Sequence, residues 1–135
     1  MSHNRRILVA EDDAGARDLV RTRLAAAGYD THTAHNGIEA LQRARALRPA
    51  GMVLDINMPG MDGFAVLEAI RTDVNLRDTR VLVLTARHAA DDVKRAMGLG
   101  AKDFLTKPFN EQQLLARVAR LFRQPKPDDG NVVLL

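Results

Sequence analysis

The sequence predicts an α/β fold built on a doubly wound, five-stranded parallel sheet. Five short apolar runs alternate along the 135-residue chain with five segments of helical periodicity, which is typical of right-handed β-α-β units. Residues 52–54 and 81–84 are continuously apolar, as expected of strands that helices cover on both faces. A hydrophobic content of 46% is enough for the core of one domain.

The amino-terminal part predicts two strand-helix units. Residues 7–10 are an apolar run, Asp13 can cap the helix that follows, and Gly28 can end it. Residues 29–34 alternate as a second strand, and Asn36 can cap a second helix. The apolar residues at helical spacing are Leu19, Val20 and Leu24 in the first helix and Ile38, Leu41, Ala44 and Leu47 in the second.

The third strand, residues 52–54, ends at Asp55 in a loop rich in turn-forming residues. Pro59 prevents further strand pairing. Gly60 and Gly63 allow backbone angles that other residues resist, so the loop can bend closely around a small ligand. Residues 64–71 then predict the third helix.

The carboxy-terminal half predicts the remaining two units. Residues 81–84 form the most apolar strand, and residues 73–80 connect it to the third helix. Residues 91–99 predict a loosely anchored helix whose apolar residues, Val93 and Met97, lie among charges. Residues 102–106 form the fifth strand, and Asn110 can cap the last helix. That helix repeats apolar residues at helical spacing: Leu114, Leu115, Val118, Leu121 and Phe122.

Composition excludes several classes of protein. The chain has no cysteine, and no apolar run approaches membrane-spanning length or follows the amino terminus as a signal peptide would. A cytoplasmic protein without a membrane partner is therefore expected. The net charge of +3 comes from scattered arginines, which indicates a solvated surface rather than nucleic-acid binding. The histidines lack metal-ligand spacing: His3, His32, His35 and His88.

Candidate site residues follow the first, third, fourth and fifth predicted strands: Glu11 and Asp12, Asp55, Thr85, and Lys107. In the flavodoxin-like strand order 2-1-3-4-5 the first and third strands are neighbours, so Glu11, Asp12 and Asp55 would converge at the switch point. Carboxylates in one pocket repel each other unless one is protonated or a cation is bound. Mg²⁺ suits this site because it binds through one or two carboxylates and phosphate oxygens.

An aspartate carboxylate can act as a nucleophile and become an aspartyl phosphate if nearby positive charge neutralises the phosphoryl oxygens. Asp55 is the candidate nucleophile. Thr85 would supply a hydroxyl from the fourth strand's end. Lys107 would supply an ammonium group from the fifth.

The chain resembles the receiver domain of bacterial two-component response regulators, the CheY-like family. The motifs that carry the resemblance are the acidic pair Glu11-Asp12, the strand and loop LDINMPGMDG, the LTA of residues 84–86, and the GAKDFLTKPF of residues 100–109. The resemblance covers residues 6–123. Residues 1–5 would then be an amino-terminal arm, and residues 124–135 a linker or tail.

The resemblance implies that Asp55 accepts a phosphoryl group from a histidine kinase or a phosphotransfer protein. It also implies that Asp12, Asp55 and the backbone carbonyl of Asn57 bind Mg²⁺, with Glu11 reaching the ion through water. Lys107 would hold the phosphoryl group, beside a cis peptide bond. Such a domain signals and is not an enzyme beyond slow loss of its own phosphate.

Thr85 and Phe104 would form the switch that reads the phosphoryl group. The resemblance implies that they reposition the face built from the fourth helix, the fifth strand and the fifth helix. Phe104 departs from the family pattern, in which the aromatic residue is often tyrosine, and it lacks the hydroxyl group. Ala50-Gly51 also departs from the commoner Pro-Asp-plus-apolar entry to the third strand, in which Asp is usual at position 50.

Three other functions remain open from the sequence. A magnesium-dependent phosphatase of the haloacid dehalogenase type also uses a nucleophilic aspartate, but it expects an Asp-x-Asp motif after the first strand. An interaction module that no longer takes phosphate is disfavoured by the intact acids, Thr85 and Lys107. The chain could also be a receiver fragment of a longer regulator with a separate output domain.

Overall fold

The computed structural model describes residues 4–86 and 89–123. Ten elements alternate along this part of the chain. The strands are β1 (Arg6–Ala10), β2 (Asp30–Ala34), β3 (Gly51–Asp55), β4 (Arg80–Thr85) and β5 (Asp103–Thr106). The helices are α1 (Ala14–Ala26), α2 (Gly37–Leu47), α3 (Gly63–Thr72), α4 (Ala90–Gly98) and α5 (Glu111–Arg123).

All five strands are parallel and lie in the order β2-β1-β3-β4-β5. The predicted α/β fold and its strand order are confirmed. Ala10 of β1 pairs with Leu54 of β3, so the residues that follow β1 lie beside Asp55 at one edge of the sheet. Thr85 pairs with Thr106, which brings the ends of β4 and β5 to the same edge.

Helices cover both faces of the sheet, and alternate strand residues enter two separate cores. One core contains α1 and α5 with strand residues such as Ile7 and Val53. The other contains α2, α3 and α4 with neighbouring strand residues such as Leu8 and Leu54. This alternation is the pleat of the strands. It explains why the runs are apolar without interruption.

Side chains predicted as helix caps have that role in the structure. Asp13 accepts a hydrogen bond of 2.7 Å from the amide of Ala16, and Asn36 accepts one of 2.8 Å from the amide of Glu39. The side chain of Asn110 accepts from the amide of Gln113. These contacts satisfy amides that have no partner within the helix.

Several details differ from the sequence prediction. Leu19 and Ile38 are 54% and 59% exposed although both belong to the predicted apolar patterns. In α4, Met97 is 41% exposed and Ala96 is buried instead. The reason is that each helix contacts the sheet along a narrow stripe, and neighbouring apolar residues lie outside it. Boundaries also shift by a residue or two: β2 begins at Asp30, β4 at Arg80 and β5 at Asp103, and α4 begins at Ala90.

The tail predicted at residues 124–135 lies outside the described residues, as do His3 and His88. The boundaries of the amino-terminal arm and of residues 6–123 as one unit remain predictions. Within the described part, every helix is too short or too polar to span a bilayer.

Candidate functional site

Three carboxylates converge at the carboxyl ends of two neighbouring strands. Glu11 and Asp12 follow β1, and Asp55 is the last residue of β3. One oxygen from each of the three lies within 4.8 Å of the others. Glu11 and Asp55 are 1% and 4% exposed, whereas Asp12 faces solvent. The predicted acidic cluster is therefore present, with one open side.

The loop after β3 holds the Asp55 carboxylate in place. The amide of Asn57 donates to Oδ1 of Asp55 over 3.1 Å. The start of α3 packs directly against the end of β3, because a Cβ atom on Gly63 would lie 2.6 Å from Cα of Ile56. A glycine is thus required at position 63 by close packing and not by an unusual backbone angle. Gly60, in contrast, has a positive φ of 76°.

Lys107 provides the positive charge of the site. Its Nζ lies 3.0 Å from Oε1 of Glu11 and 3.5 Å from Oδ2 of Asp55. The backbone amide of Lys107 donates to the carbonyl of Thr85 over 2.7 Å, which ties the ends of β4 and β5 together. The peptide bond between Lys107 and Pro108 is cis, as the resemblance implied.

Burial and crowding change the protonation equilibria of two groups. Burial raises the pKa of Glu11, and the neighbouring Asp55 carboxylate raises it further, against the opposing effect of Lys107. Burial disfavours the charged form of Lys107, but its hydrogen bond to Glu11 and the charges of both carboxylates outweigh this and raise its pKa. Lys107 is therefore a cation at neutral pH, and the pocket favours a bound positive charge.

Thr85 is 1% exposed at the end of β4. Among the described residues its hydroxyl oxygen has no hydrogen-bond partner. Buried hydroxyl groups are nearly always paired, so an exception calls for an explanation. A ligand oxygen at the neighbouring end of β3 would supply the missing partner.

Phe104 lies on β5, half-buried, and its ring packs against the core that contains α2, α3 and α4. The guanidinium carbon of Arg117 lies 5.7 Å from the centre of this ring. Arg117 also donates to the carbonyl of Phe104 and to the carboxylate of Asp103. These contacts hold Phe104 between the core and α5.

Two interactions were missed by the sequence interpretation. One is the ion pair between Glu11 and Lys107, which are 96 residues apart. The other is the pairing of Asp103, which is 6% exposed, with Arg117 and Arg120 of α5. The sequence signal for this pairing was an acidic residue within a strand, combined with two arginines three positions apart on the following helix.

The donor atoms of the acidic cluster suit a hard divalent cation. The available ligands are carboxylate oxygens, and backbone carbonyls and water can complete an octahedral shell. With sulfur and imidazole ligands absent from the described cluster, softer transition metals are disfavoured relative to Mg²⁺. A carboxylate beside a cation and a cluster of possible metal ligands is an arrangement suited to phosphoryl transfer.

Comparisons with known proteins agree with this geometry. The family model of the response regulator receiver domain matches residues 7–119. Response regulator MprA of Mycobacterium bovis (strain BCG / Pasteur 1173P2) is 41% identical over 125 residues, which is 93% of this chain and 54% of that protein. MprA of Mycobacterium avium is also 41% identical, over 124 residues and 54% of its length. The chain thus spans about half the length of these relatives.

Solved structures show the same fold. The chemotaxis response regulator CheY4 of Vibrio cholerae superimposes with a TM-score of 0.81 at 34% identity, covering 86% of this chain and 97% of that one. A putative response regulator from Chloroflexus aurantiacus gives a TM-score of 0.84 at 29% identity, covering 88% and 98%. These matches favour the predicted family over a phosphatase of the haloacid dehalogenase type. The chain belongs to the response regulator receiver domain family.

Proposed function

We propose that Asp55 accepts the phosphoryl group of a two-component phosphorelay. The observation that carries the proposal is the position of Lys107, whose ammonium nitrogen lies 3.5 Å from Oδ2 of Asp55. A carboxylate that is held by a backbone amide and faces a cation is oriented to attack phosphorus. The donor would be a histidine kinase or a histidine phosphotransfer protein.

In this reaction the phosphoryl group moves from an imidazole nitrogen of the donor to a carboxylate oxygen of Asp55. A P–N bond breaks as a P–O bond forms, and the donor histidine takes its proton from solvent. Lys107 neutralises charge on the phosphoryl oxygens. The same site would support at most slow hydrolysis of its own phosphate, so the domain acts as a signalling element of the cytoplasm rather than as an enzyme.

Mg²⁺ would be held by Asp12, Asp55 and the backbone carbonyl of Asn57, with Glu11 contributing through water. The ion would supply further neutralisation of the transferred oxygens. The exposure of Asp12 supports this role, because an ion there keeps some of its water shell. Asp12→Ala should abolish Mg²⁺-dependent phosphorylation while the fold persists. Asp13→Asn is the matched control, since asparagine also caps α1.

The switch would begin at Thr85, whose buried hydroxyl has no partner in the described part of the chain. A phosphoryl oxygen on Asp55 offers that hydroxyl an acceptor. Movement of Thr85 would leave space for Phe104, which carries the change to α4, β5 and α5. Helix α4 has one buried residue, Ala96, and is the element most easily shifted between two arrangements.

Intact-mass spectrometry after incubation with acetyl phosphate and Mg²⁺ tests the function. One labile phosphoryl group per chain is expected, and EDTA should prevent its uptake. Sustained turnover of an aryl phosphate would instead favour the phosphatase of the haloacid dehalogenase type. Failure to take up phosphate under any Mg²⁺ concentration would favour the interaction module.

A further inference from the structure

A second recess lies far from the acidic cluster. It is a cavity of about 370 Å³ at the amino-terminal ends of the strands, the opposite end of the sheet from Asp55. Ala50 precedes β3 there, Arg80 begins β4, and Lys102 precedes β5. Its volume falls within the range of about 300–1,000 Å³ that is usual for small-molecule sites.

The lining of this cavity is strongly basic. Four cations contribute to it, and the one carboxylate is that of Asp78. The four cations are Arg48, Arg77, Arg80 and Lys102. Within residues 4–86 and 89–123, none of the four forms an ion pair with a carboxylate. The recess therefore carries an excess of positive charge, because Asp78 offsets only one of the four cations.

The wall behind these cations is held by hydrogen bonds between distant segments. Thr79 Oγ1 donates to the carbonyl of Pro49 over 2.8 Å, and the amide of Arg80 donates to the carbonyl of Ala50 over 3.0 Å. The amide of Lys102 donates to a β4 carbonyl over 2.9 Å. The recess is thus formed before any ligand arrives, which lowers the entropic cost of binding.

Arg48 adopts a backbone conformation that is unfavourable for an arginine. It is the C-cap residue of α2, with a φ of 46°, and it is the one non-glycine residue with a positive φ in the described chain. Glycine would adopt this conformation with less strain. The arginine places its side chain at the cavity, where Nη2 donates to Oδ1 of Asn75 over 3.3 Å.

We propose that this basic cavity binds a small anion with two or more phosphate groups. One phosphate carries too little charge to neutralise four cations, and arginine presents paired donors that match phosphate oxygens. The cations surround a recess instead of following an extended stripe, which favours a small molecule over a nucleic acid. The inference does not rest on phosphorylation of Asp55.

A nitrogen-15 NMR titration with inorganic tripolyphosphate, in EDTA and at constant ionic strength, tests the proposal. Saturable amide shifts are expected at Arg48, Ala50, residues 74–80 and Lys102, without shifts at Asp12 or Asp55. A parallel titration with ATP distinguishes a nucleotide from an inorganic polyphosphate, two ligands that present the same chain of phosphate groups. Tighter binding of ATP would support a nucleotide as the ligand, and equal binding would support an inorganic polyphosphate.

Two variants keep the test independent of folding. Arg48→Gly removes a cation and relieves the positive φ, so it should melt no lower than the wild type yet bind about tenfold more weakly. Lys102→Gln changes an exposed residue and should weaken binding similarly. Arg43→Gln removes the same charge from an exposed site on α2 outside the cavity and should bind as the wild type.

The proposal is overturned if tripolyphosphate shifts only Asp12, Asp55 and Lys107, or if no saturable shifts occur. It is equally overturned if Arg43→Gln weakens binding as much as Arg48→Gly, because the effect would then be one of net charge. A duplex oligonucleotide that binds more tightly than tripolyphosphate, with shifts spread beyond the cavity, would identify a nucleic-acid surface instead.

Discussion

The ammonium nitrogen of Lys107 lies 3.5 Å from Oδ2 of Asp55. It lies closer to Oε1 of Glu11, at 3.0 Å, so two carboxylates share one cation. Phosphorylation would replace the single negative charge of the Asp55 carboxylate with a phosphoryl group that carries about −1.5 to −2 charge and three acceptor oxygens. The cation that must neutralise this charge is therefore already in the pocket.

Lys107→Gln should slow phosphorylation of Asp55 by acetyl phosphate about tenfold or more, because it removes charge stabilisation during phosphoryl transfer. The rate is measured by intact-mass spectrometry at saturating Mg²⁺. Lys94→Gln removes an exposed cation from α4 and serves as the control. Equal rates for Lys107→Gln and the wild type would contradict the role of Lys107.

Glu11→Gln should stabilise the fold at neutral pH when Mg²⁺ is absent. Burial and the Asp55 carboxylate raise the pKa of Glu11, so the folded chain binds this proton more tightly than the unfolded chain. Stability from Glu11 is then fully present below its ordinary pKa of 4.5 and is lost as the pH rises through the raised value.

The gain in melting temperature from Glu11→Gln should accordingly be larger at pH 7 than at pH 4. Thermal unfolding followed by circular dichroism in EDTA measures it. A loss of stability at pH 7 would mean that the ion pair with Lys107 outweighs the burial of the Glu11 carboxylate.

Thr85→Ala should leave Asp55 phosphorylatable while uncoupling the switch. NMR spectra with and without beryllofluoride, a mimic of the phosphoryl group, should show shifts at residues 89–109 in the wild type and lose them in Thr85→Ala. Thr85→Ser keeps the hydroxyl and should retain the shifts. Wild-type shifts in Thr85→Ala would show that the signal does not pass through this hydroxyl.

Gly51→Ala should destabilise the fold by about 1–3 kcal/mol, the usual range for overpacking a core. A Cβ atom on Gly51 would lie 2.7 Å from Cε1 of Phe122, so the ring of α5 would have to move. Urea unfolding measures the change. Gly98→Ala is the control, because a Cβ atom on that glycine in α4 would meet nothing within 4 Å.

Phe122→Leu should reduce the cost of Gly51→Ala in the double variant, since a smaller side chain leaves room for the added methyl group. If Gly51→Ala lowered the free energy of unfolding equally with and without Phe122→Leu, the destabilisation would come from the backbone of β3. The contact also accounts for a glycine, in place of a residue with a side chain, at the first position of β3.

The convergence of Glu11, Asp12 and Asp55 was predictable because it depends only on strand order. Carboxyl ends of parallel strands meet at one edge of the sheet. The end of each apolar run in the sequence marked the position at which a strand ends. The same reasoning placed Thr85 and Lys107 at that edge. Local rules also sufficed for the caps at Asp13 and Asn36, since a cap acts within three residues.

Contacts that depend on side-chain direction were not predictable in the same way. Periodicity marked Leu19 and Ile38 as apolar, but the surface that each helix presents to the sheet is decided by packing, and both are exposed. The basic cavity joins Arg48, Arg77 and Lys102 from three loops. In the sequence these cations are scattered, and only the fold brings them to one recess.

The identity of the phosphoacceptor is the central claim, and Asp55→Asn tests it most directly. Asp62→Asn is a closely matched control: Asp62 lies in the same loop and caps α3 through the amide of Ala65, and asparagine caps equally well. After acetyl phosphate and Mg²⁺, mass spectrometry should show one phosphoryl group on the wild type and on Asp62→Asn, and none on Asp55→Asn. Uptake of phosphate by a folded Asp55→Asn chain at the wild-type level would contradict the assignment.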